Sequence, residues 1–196
     1  MTTHGVICIT KPGSMNMSQP LLGVAAVAEL PSAIGTLVVS ATPLGIARLE
    51  FKHRVTSCAE DGIESLLLEA EPGHREQAQA WADEAVKQLD EYFMLKREGF
   101  DVPLDGPHGD GFRVRAQRAL SQIPYGSTLT YAQLAEAAGN ASAVRAAGTA
   151  CASNPLPILL PCHRVVRSDG RLGAYLGGEQ AKKHLLQMES VGLTGR

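Results

Sequence analysis

Cys162, His163 and Arg164 stand in succession after the apolar run Ile158-Leu159-Leu160 and Pro161. A trio of these types can make a sulfur nucleophile. The thiolate is the reactive form of cysteine, and an imidazole base with positive charge nearby lowers the cost of forming it. A histidine adjacent in the chain rarely points at its neighbour's sulfur, so a water bridge from Cys162 to His163 is the expected link. As a bare pair, the commoner role for such a cysteine is a small buried hydrophobe. The surrounding elements decide between the two.

Ahead of the cysteine lie two short helices. Thr130-Tyr131-Ala132-Gln133 has the capping-box pattern and opens a helix that Gly139 closes. Ser142 is placed to cap the next helix, Ala143 to Ala152, and the pair forms a helix-turn-helix candidate joined at Gly139-Asn140-Ala141. The second helix is almost bare. Ala143, Ala146, Ala147, Gly148, Thr149 and Ala150 leave Arg145 as its only long side chain. A thin helix can pack tightly on another helix. It can also reach the floor of a narrow groove with one arginine projecting as a wedge. Reading base edges would need several polar side chains, so a DNA contact here would be nearly independent of sequence.

Asn154-Pro155 and a short apolar strand then lead to Cys162. Ser168-Asp169-Gly170 marks a tight turn, Gly173 to Gly178 a glycine-rich loop, and Glu179 to Ser190 a closing helix with Leu185, Leu186 and Met188 inward and Glu189 near its end. Earlier in the chain, Phe112 to Gln122 reads as a helix ending before the turn Ile123-Pro124-Tyr125-Gly126. Arg75 to Lys96 is a helix with Trp81, Ala85, Leu89 and Tyr92-Phe93 on one face. Gly35 to Ser40 and Gly45 to Phe51 form a hairpin about Thr42-Pro43-Leu44, Ile63 to Ala70 fits either a helix or a strand, and Asp101 to Gly111 reads as a linker. Residues 1 to about 30 read as a loosely ordered extension.

The 196 residues, 44% of them hydrophobic, suffice for one domain or two small ones. Charge is unevenly divided: residues 1–110 carry 8 Lys and Arg against 16 Asp and Glu, whereas residues 111–196 carry 10 against 4. A basic second half suits a polyanion partner for that half alone. The four cysteines, Cys8, Cys58, Cys151 and Cys162, form no C-x-x-C pair, which points to a reducing compartment. The irregular spacing of Cys8, Cys58, His4 and His53 speaks against a zinc site, and no run is long enough for a transmembrane helix.

With these pieces in order, the sequence resembles the O6-alkylguanine-DNA alkyltransferases. The resemblance rests on Ile123-Pro124-Tyr125-Gly126, Thr130-Tyr131, Ala143-Val144-Arg145-Ala146-Ala147-Gly148, Ser153-Asn154-Pro155, Pro161-Cys162-His163-Arg164-Val165 and Tyr175-Leu176-Gly177-Gly178. It implies a two-domain α/β (α+β) protein. Residues 31–105 would form a small ribonuclease H-like sheet with a helix. Residues 111–192 would form a winged helix-turn-helix-like domain for DNA binding and alkyl transfer.

The resemblance further implies a direct reversal of damage in which Cys162 takes an alkyl group from guanine O6, with O4-alkylthymine left open. The product thioether has no easy leaving group, so the protein would act once. His163 and Glu189 would form the relay behind Cys162, Tyr131 would protonate guanine N3, and Asn154 would brace the turn before the active strand. Arg145, with Ala143, Ala146, Gly148 and Tyr131, would meet the minor groove of double-stranded DNA and hold a flipped nucleotide out. Tyr175, Ser168, Val165, Pro157 and Gly177 would line the pocket, with the carbonyls of Cys162 and Val165 reading the guanine amino group. No cofactor and no metal are implied. The expected protein is a monomer, with cooperative binding along DNA open, in the cytoplasm, on the nucleoid of a bacterium or in the nucleus of a eukaryote.

Three positions depart from the family's pattern: Ala116-Gln117 replaces Val-Trp, Ala147 replaces Val, and Leu176 stands where some members have a small or polar residue. The last implies a narrower pocket that favours methyl over bulky adducts. The rival from another class is a lesion-binding protein without transfer activity, which would lack the cysteine. A transcriptional inducer would need further domains upstream, and a cysteine hydrolase an oxyanion hole.

Overall fold

The computed structural model describes residues 23–54 and 71–194. The chain splits into two compact units, Met1–Asp90 with Asp101–Gly106, and Glu91–Phe100 with Pro107–Arg196. Cys8, Cys58, His4, the Ile63–Ala70 segment and most of the presumed extension lie outside the described residues.

The first unit contains an antiparallel sheet of β1 (Ala26–Leu30), β2 (Leu37–Thr42) and β3 (Gly45–Phe51), in that order. Every residue of the central strand β2 is buried, as expected of a strand covered on both faces. The β2–β3 turn is the hairpin read from Thr42-Pro43-Leu44, and a Cβ at Gly45 (φ +150°) would run into the backbone of Pro103. Helix α1 (Pro72–Phe93) buries Ala78, Ala82, Ala85, Leu89 and Tyr92, a stripe at helical spacing, with Trp81 at its margin donating from Nε1 to Pro43 O at 3.2 Å.

Three expectations change here. Strand β1 begins at Ala26, inside the presumed extension, because Ala25 to Ala28 supply a short apolar run that β2 can pair. The Asp101–Gly111 linker is docked over its first half: Ile46 N donates to Pro103 O at 2.8 Å, Asp105 N to Ile46 O at 2.9 Å and Thr42 Oγ1 to Asp105 Oδ2 at 2.6 Å. Helix α1 stops at Phe93 rather than Lys96, with Leu95 in the left-handed region (φ 59°).

In the second unit, α2 (Phe112–Ala119) tightens into a 3-10 turn at Leu120–Gln122. A two-residue strand β4 (Leu129–Thr130) leads into α3 (Tyr131–Ala137), followed by α4 (Val144–Ala152). A 3-10 turn at Cys162–Arg164, strand β5 (Val165–Val166) and the long helix α5 (Gly178–Thr194) complete the unit. Helices α2 and α3 both pack on α4. The contact is made close by small residues, Ala116, Ala138 and Ala150, with Phe112 at its edge. The capping box of Thr130 and Gln133 forms as expected, with Gln133 N donating to Thr130 Oγ1 at 3.2 Å and Thr130 N to Gln133 Oε1 at 2.8 Å.

Two further expectations fail. Ser142 does not cap α4: its hydroxyl donates to Asn140 Oδ1 at 2.7 Å and the N-cap residue is Ala143, with no side-chain cap bond. The apolar segment before Cys162 is a folded turn and not a strand. Prolines at 155, 157 and 161 remove ladder donors, and the segment closes on itself through a Pro157–Leu160 bridge and a Leu160 N to Leu156 O bond of 2.7 Å.

Candidate active site

Two short pairings bring the reactive residues together. Strand β4 lies parallel to β5, with Leu129 opposite Val165 and Thr130 opposite Val166. Tyr131, the first residue of α3, is therefore held beside the segment that carries Cys162, His163 and Arg164. Asn154 closes the other side. Its Nδ2 donates to Leu160 O at 2.7 Å while its Oδ1 accepts from Leu156 N at 3.1 Å. This brace holds Ile158 at φ 74°, a left-handed conformation that costs a β-branched residue about 1–3 kcal/mol.

Cys162 is 2% exposed and His163 and Glu189 are fully buried. His163 Nε2 lies 2.8 Å from Glu189 Oε1. Burial alone would raise the Glu189 carboxyl, but hydrogen bonds and charge from His163 and Arg164 outweigh it and hold it at about 2. An ionised carboxylate only accepts, so Nε2 carries the imidazole proton and Nδ1 keeps its lone pair. His163 Nδ1 is buried and makes no hydrogen bond to another protein group. Burial lowers the basicity of His163, so it is neutral and able to take a proton.

Burial pushes the Cys162 thiol up to about 11, with the Asn154 amide and the Lys182 charge pulling the other way. The resting sulfur is protonated, and a base must remove its proton when a substrate is present. Cys151 is pushed to about 12, again chiefly by burial. Unlike Cys162, it has no histidine beside it in the sequence.

Tyr131 is raised by burial and stays a proton donor at neutral pH. Gly173 makes room for it: at φ +71° a Cβ there would stand 2.7 Å from Tyr131 Oη. A cavity of about 650 Å³ is lined by Arg167, Arg171, Gly173, Tyr175 and Glu179 among others, and neither Cys162 nor Tyr131 is part of its wall. Of the expected pocket residues, Tyr175 is on its wall, whereas Ser168, Val165, Pro157 and Gly177 are not. Ser168 is exposed on the turn, and Val165 and Pro157 are buried. The Val165 carbonyl accepts Lys182 Nζ at 2.6 Å and the Cys162 carbonyl accepts the Val165 amide. Leu176 is half-buried. Arg145 and Ala146 are exposed on α4, Ala143 and Gly148 are half-buried, and Gly148 sits against the Tyr131 ring.

Lys182 is not singled out by the sequence reading, and the partners of Arg164 and Gln117 are not given by it. Lys182 is fully buried, with its ammonium 6.0 Å from the Tyr131 ring centroid. It shares one face of α5 with Leu185 and Glu189, at spacings of three and four, which a strict helical reading of α5 would have exposed. Arg164 clasps Glu189 from Nε (3.1 and 3.0 Å) and Nη2 (2.9 Å), and its Nη1 donates to Ile123 O at 2.6 Å. Gln117, in the position of the family's tryptophan, donates to Ala150 O (3.1 Å) and Ser153 O (3.0 Å) and so ties α2 to the end of α4.

The family model of the 6-O-methylguanine DNA methyltransferase DNA-binding domain matches residues 111–191, and that of its ribonuclease-like domain matches residues 27–106. The chain belongs to this family. A methylated-DNA–protein-cysteine methyltransferase of Methanosarcina barkeri is 36% identical over 167 residues, spanning 84% of this chain and 96% of that protein. The constitutive enzyme of that name from Bacillus subtilis is 42% identical over 109 residues, 55% of this chain and 66% of that one. Among solved structures, Mycobacterium tuberculosis OGT in complex with DNA superimposes with a TM-score of 0.69 at 32% identity, covering 84% of this chain and 92% of that one. Among the described residues, no cluster of three or more His, Cys, Asp or Glu could hold a metal ion, and no helix is long and apolar enough to cross a membrane.

Proposed function

We propose that this protein repairs DNA by moving an alkyl group from guanine O6 to Cys162, once per molecule. The observation that carries the reading is the buried His163–Glu189 pair next to buried Cys162 in the chain, with an unpartnered lone pair at His163 Nδ1. The thiol proton passes through a water to Nδ1 as Sγ approaches the alkyl carbon. The S–C bond forms while the C–O6 bond breaks, and the electron pair stays with guanine. Guanine then takes the Tyr131 hydroxyl proton at N3, so it departs neutral. The low basicity of neutral His163 is offset by Glu189, which stabilises the imidazolium once it forms.

A sulfur this deeply buried cannot meet a base inside a duplex, so the nucleotide is flipped, and Arg145 on exposed α4 fills the gap. The bareness of α4 supports minor-groove binding without regard to sequence. A pocket wall of Tyr175 and Gly173 with Tyr131 beside it suits a flat purine. The protein acts where the genome is, in the cytoplasm or the nucleus. A lesion binder without transfer is disfavoured by Cys162 itself.

Incubation with a duplex containing O6-methylguanine tests this directly. One methyl mass is expected on the peptide carrying Cys162, and Cys162→Ala is expected to bind the duplex and transfer nothing. Sustained turnover, or methyl on Cys151, would overturn the reading.

A further inference from the structure

Four groups donate to Glu189, and one comes from a distant stretch of sequence. Tyr92 lies 97 residues earlier, in the last turn of α1, and its hydroxyl donates to Glu189 Oε1 at 2.6 Å. It falls within the stretch matched by the ribonuclease-like domain, yet it packs with the second unit. Its ring is fully buried, with the rings of Phe93, Phe100 and Tyr125 at centroid distances of 5.6, 5.3 and 6.1 Å. A phenylalanine would fill the same space. The hydroxyl is desolvated and is matched only by the carboxylate, at the short distance typical of an O–H donor on an anion.

The geometry points to Tyr92 as a positioning residue of the transfer relay, its hydroxyl fixing the Glu189 carboxylate in the plane that His163 requires. This rests on the relay reading given above. The terminal torsion of a glutamate is broad, so contacts must set the carboxylate plane. Arg164 donates to both oxygens from Nε and to Oε1 from Nη2 at 2.9 Å, a flexible side chain that can move with the carboxylate, and Gly126 N holds only Oε2, at 3.1 Å. Tyr92 approaches Oε1, the oxygen that also faces His163. Without it Oε1 keeps only Arg164 and His163 as partners, the carboxylate can shift toward Arg164, and the Nε2–H bond loses alignment. The other charged or titratable groups facing this network are Arg164 and His163 beside Cys162, Lys182 on α5, Tyr125 in the turn after α2, and Tyr175 in the glycine-rich loop.

The test compares the full-length protein with Tyr92→Phe. Transfer is followed from O6-methylguanine duplex and from free O6-benzylguanine, and the pH dependence of Cys162 alkylation by iodoacetamide is recorded. The variant is expected to slow both transfers by a common factor of about ten, since the relay acts on the thiol and not on DNA. The alkylation midpoint is expected to rise by about one pH unit. Phe100→Leu, which disturbs the same packing and leaves the hydroxyl, is expected to lower Tm without moving the midpoint. Wild-type rates in Tyr92→Phe, a loss on duplex alone, or a slower variant with an unmoved midpoint would each overturn the proposal. Failure of the wild-type protein to take up methyl would instead overturn the relay reading beneath it.

Discussion

The two units bury different things. In the first, the residues with no exposure are mainly apolar: Leu37, Val38, Val39, Ile46, Ala78, Ala82, Ala85 and Leu89, and its buried polar side chains are the uncharged Ser40, Thr42 and Gln88. In the second, His163, Lys182 and Glu189 are equally buried, with Arg164 6% exposed and Asn154 3%. Apolar burial is non-directional and tolerates moderate repacking. A buried ionic network is fully worthwhile only when every member is satisfied, and losing one leaves the rest uncompensated. The first unit is therefore built to fold, and the second to hold a few atoms in a particular arrangement.

The largest effect that would sharpen this contrast is expected from Glu189→Gln. Removing the charge leaves Arg164 buried without a counter-ion, at a cost of about 3–5 kcal/mol, and transfer should fall with it. Denaturant melts paired with single-turnover rates check both. A stable variant with normal transfer would break the comparison. Leu89→Ala in the first unit is expected to cost about 2–5 kcal/mol through the cavity it leaves. The molecules that remain folded should transfer at the wild-type rate, read as single-turnover rate per folded molecule.

Arg145→Ala should leave the unfolding free energy within about 0.5 kcal/mol of wild type, as for an exposed side chain. It should slow repair in duplex DNA by about tenfold or more, since unstacking a base costs a few kcal/mol. Transfer from free O6-benzylguanine should be little changed, and equal losses on the two substrates would remove Arg145 from flipping.

The smallest effect is a pH dependence. Glu189 is held at about 2 in the folded protein, below its ordinary value of 4.5, so its contribution is complete above 4.5 and is lost as pH falls toward 2. His163 is lowered from 6.5 by burial, so the stability of its neutral form is complete above that value and declines as pH drops below it. On acidification the amide protection factors in α5 should fall before those in β2 do. The reverse order would contradict the contrast between the units.

Much of this was legible in the residues. Periodicity gave α1 and α5 because apolar side chains every three or four residues must share a face. The capping box marked the start of α3 because its bonds are local. Cys162 and His163 stand out by type and adjacency, whereas Glu189, Tyr131 and Asn154 receive their expected roles only through a resemblance carried by short motifs. The failures have a common cause. The Ser142 hydroxyl turns to Asn140 and leaves α4 without a side-chain cap, and the prolines before Cys162 leave few donors for a ladder.

By itself, the sequence determined which residues are chemically competent, where the long helices run, and that the second half is basic. Those properties depend on composition and on neighbours within a turn or two. Only the tertiary structure decided that Tyr92, Arg164 and Gly126 converge on Glu189, that Lys182 lies beneath Tyr131, and that Gln117 grips the end of α4. These partners stand up to 97 residues apart. No local spacing encodes such a contact, and each is paired because a buried charge or amide must find a partner wherever the fold brings one.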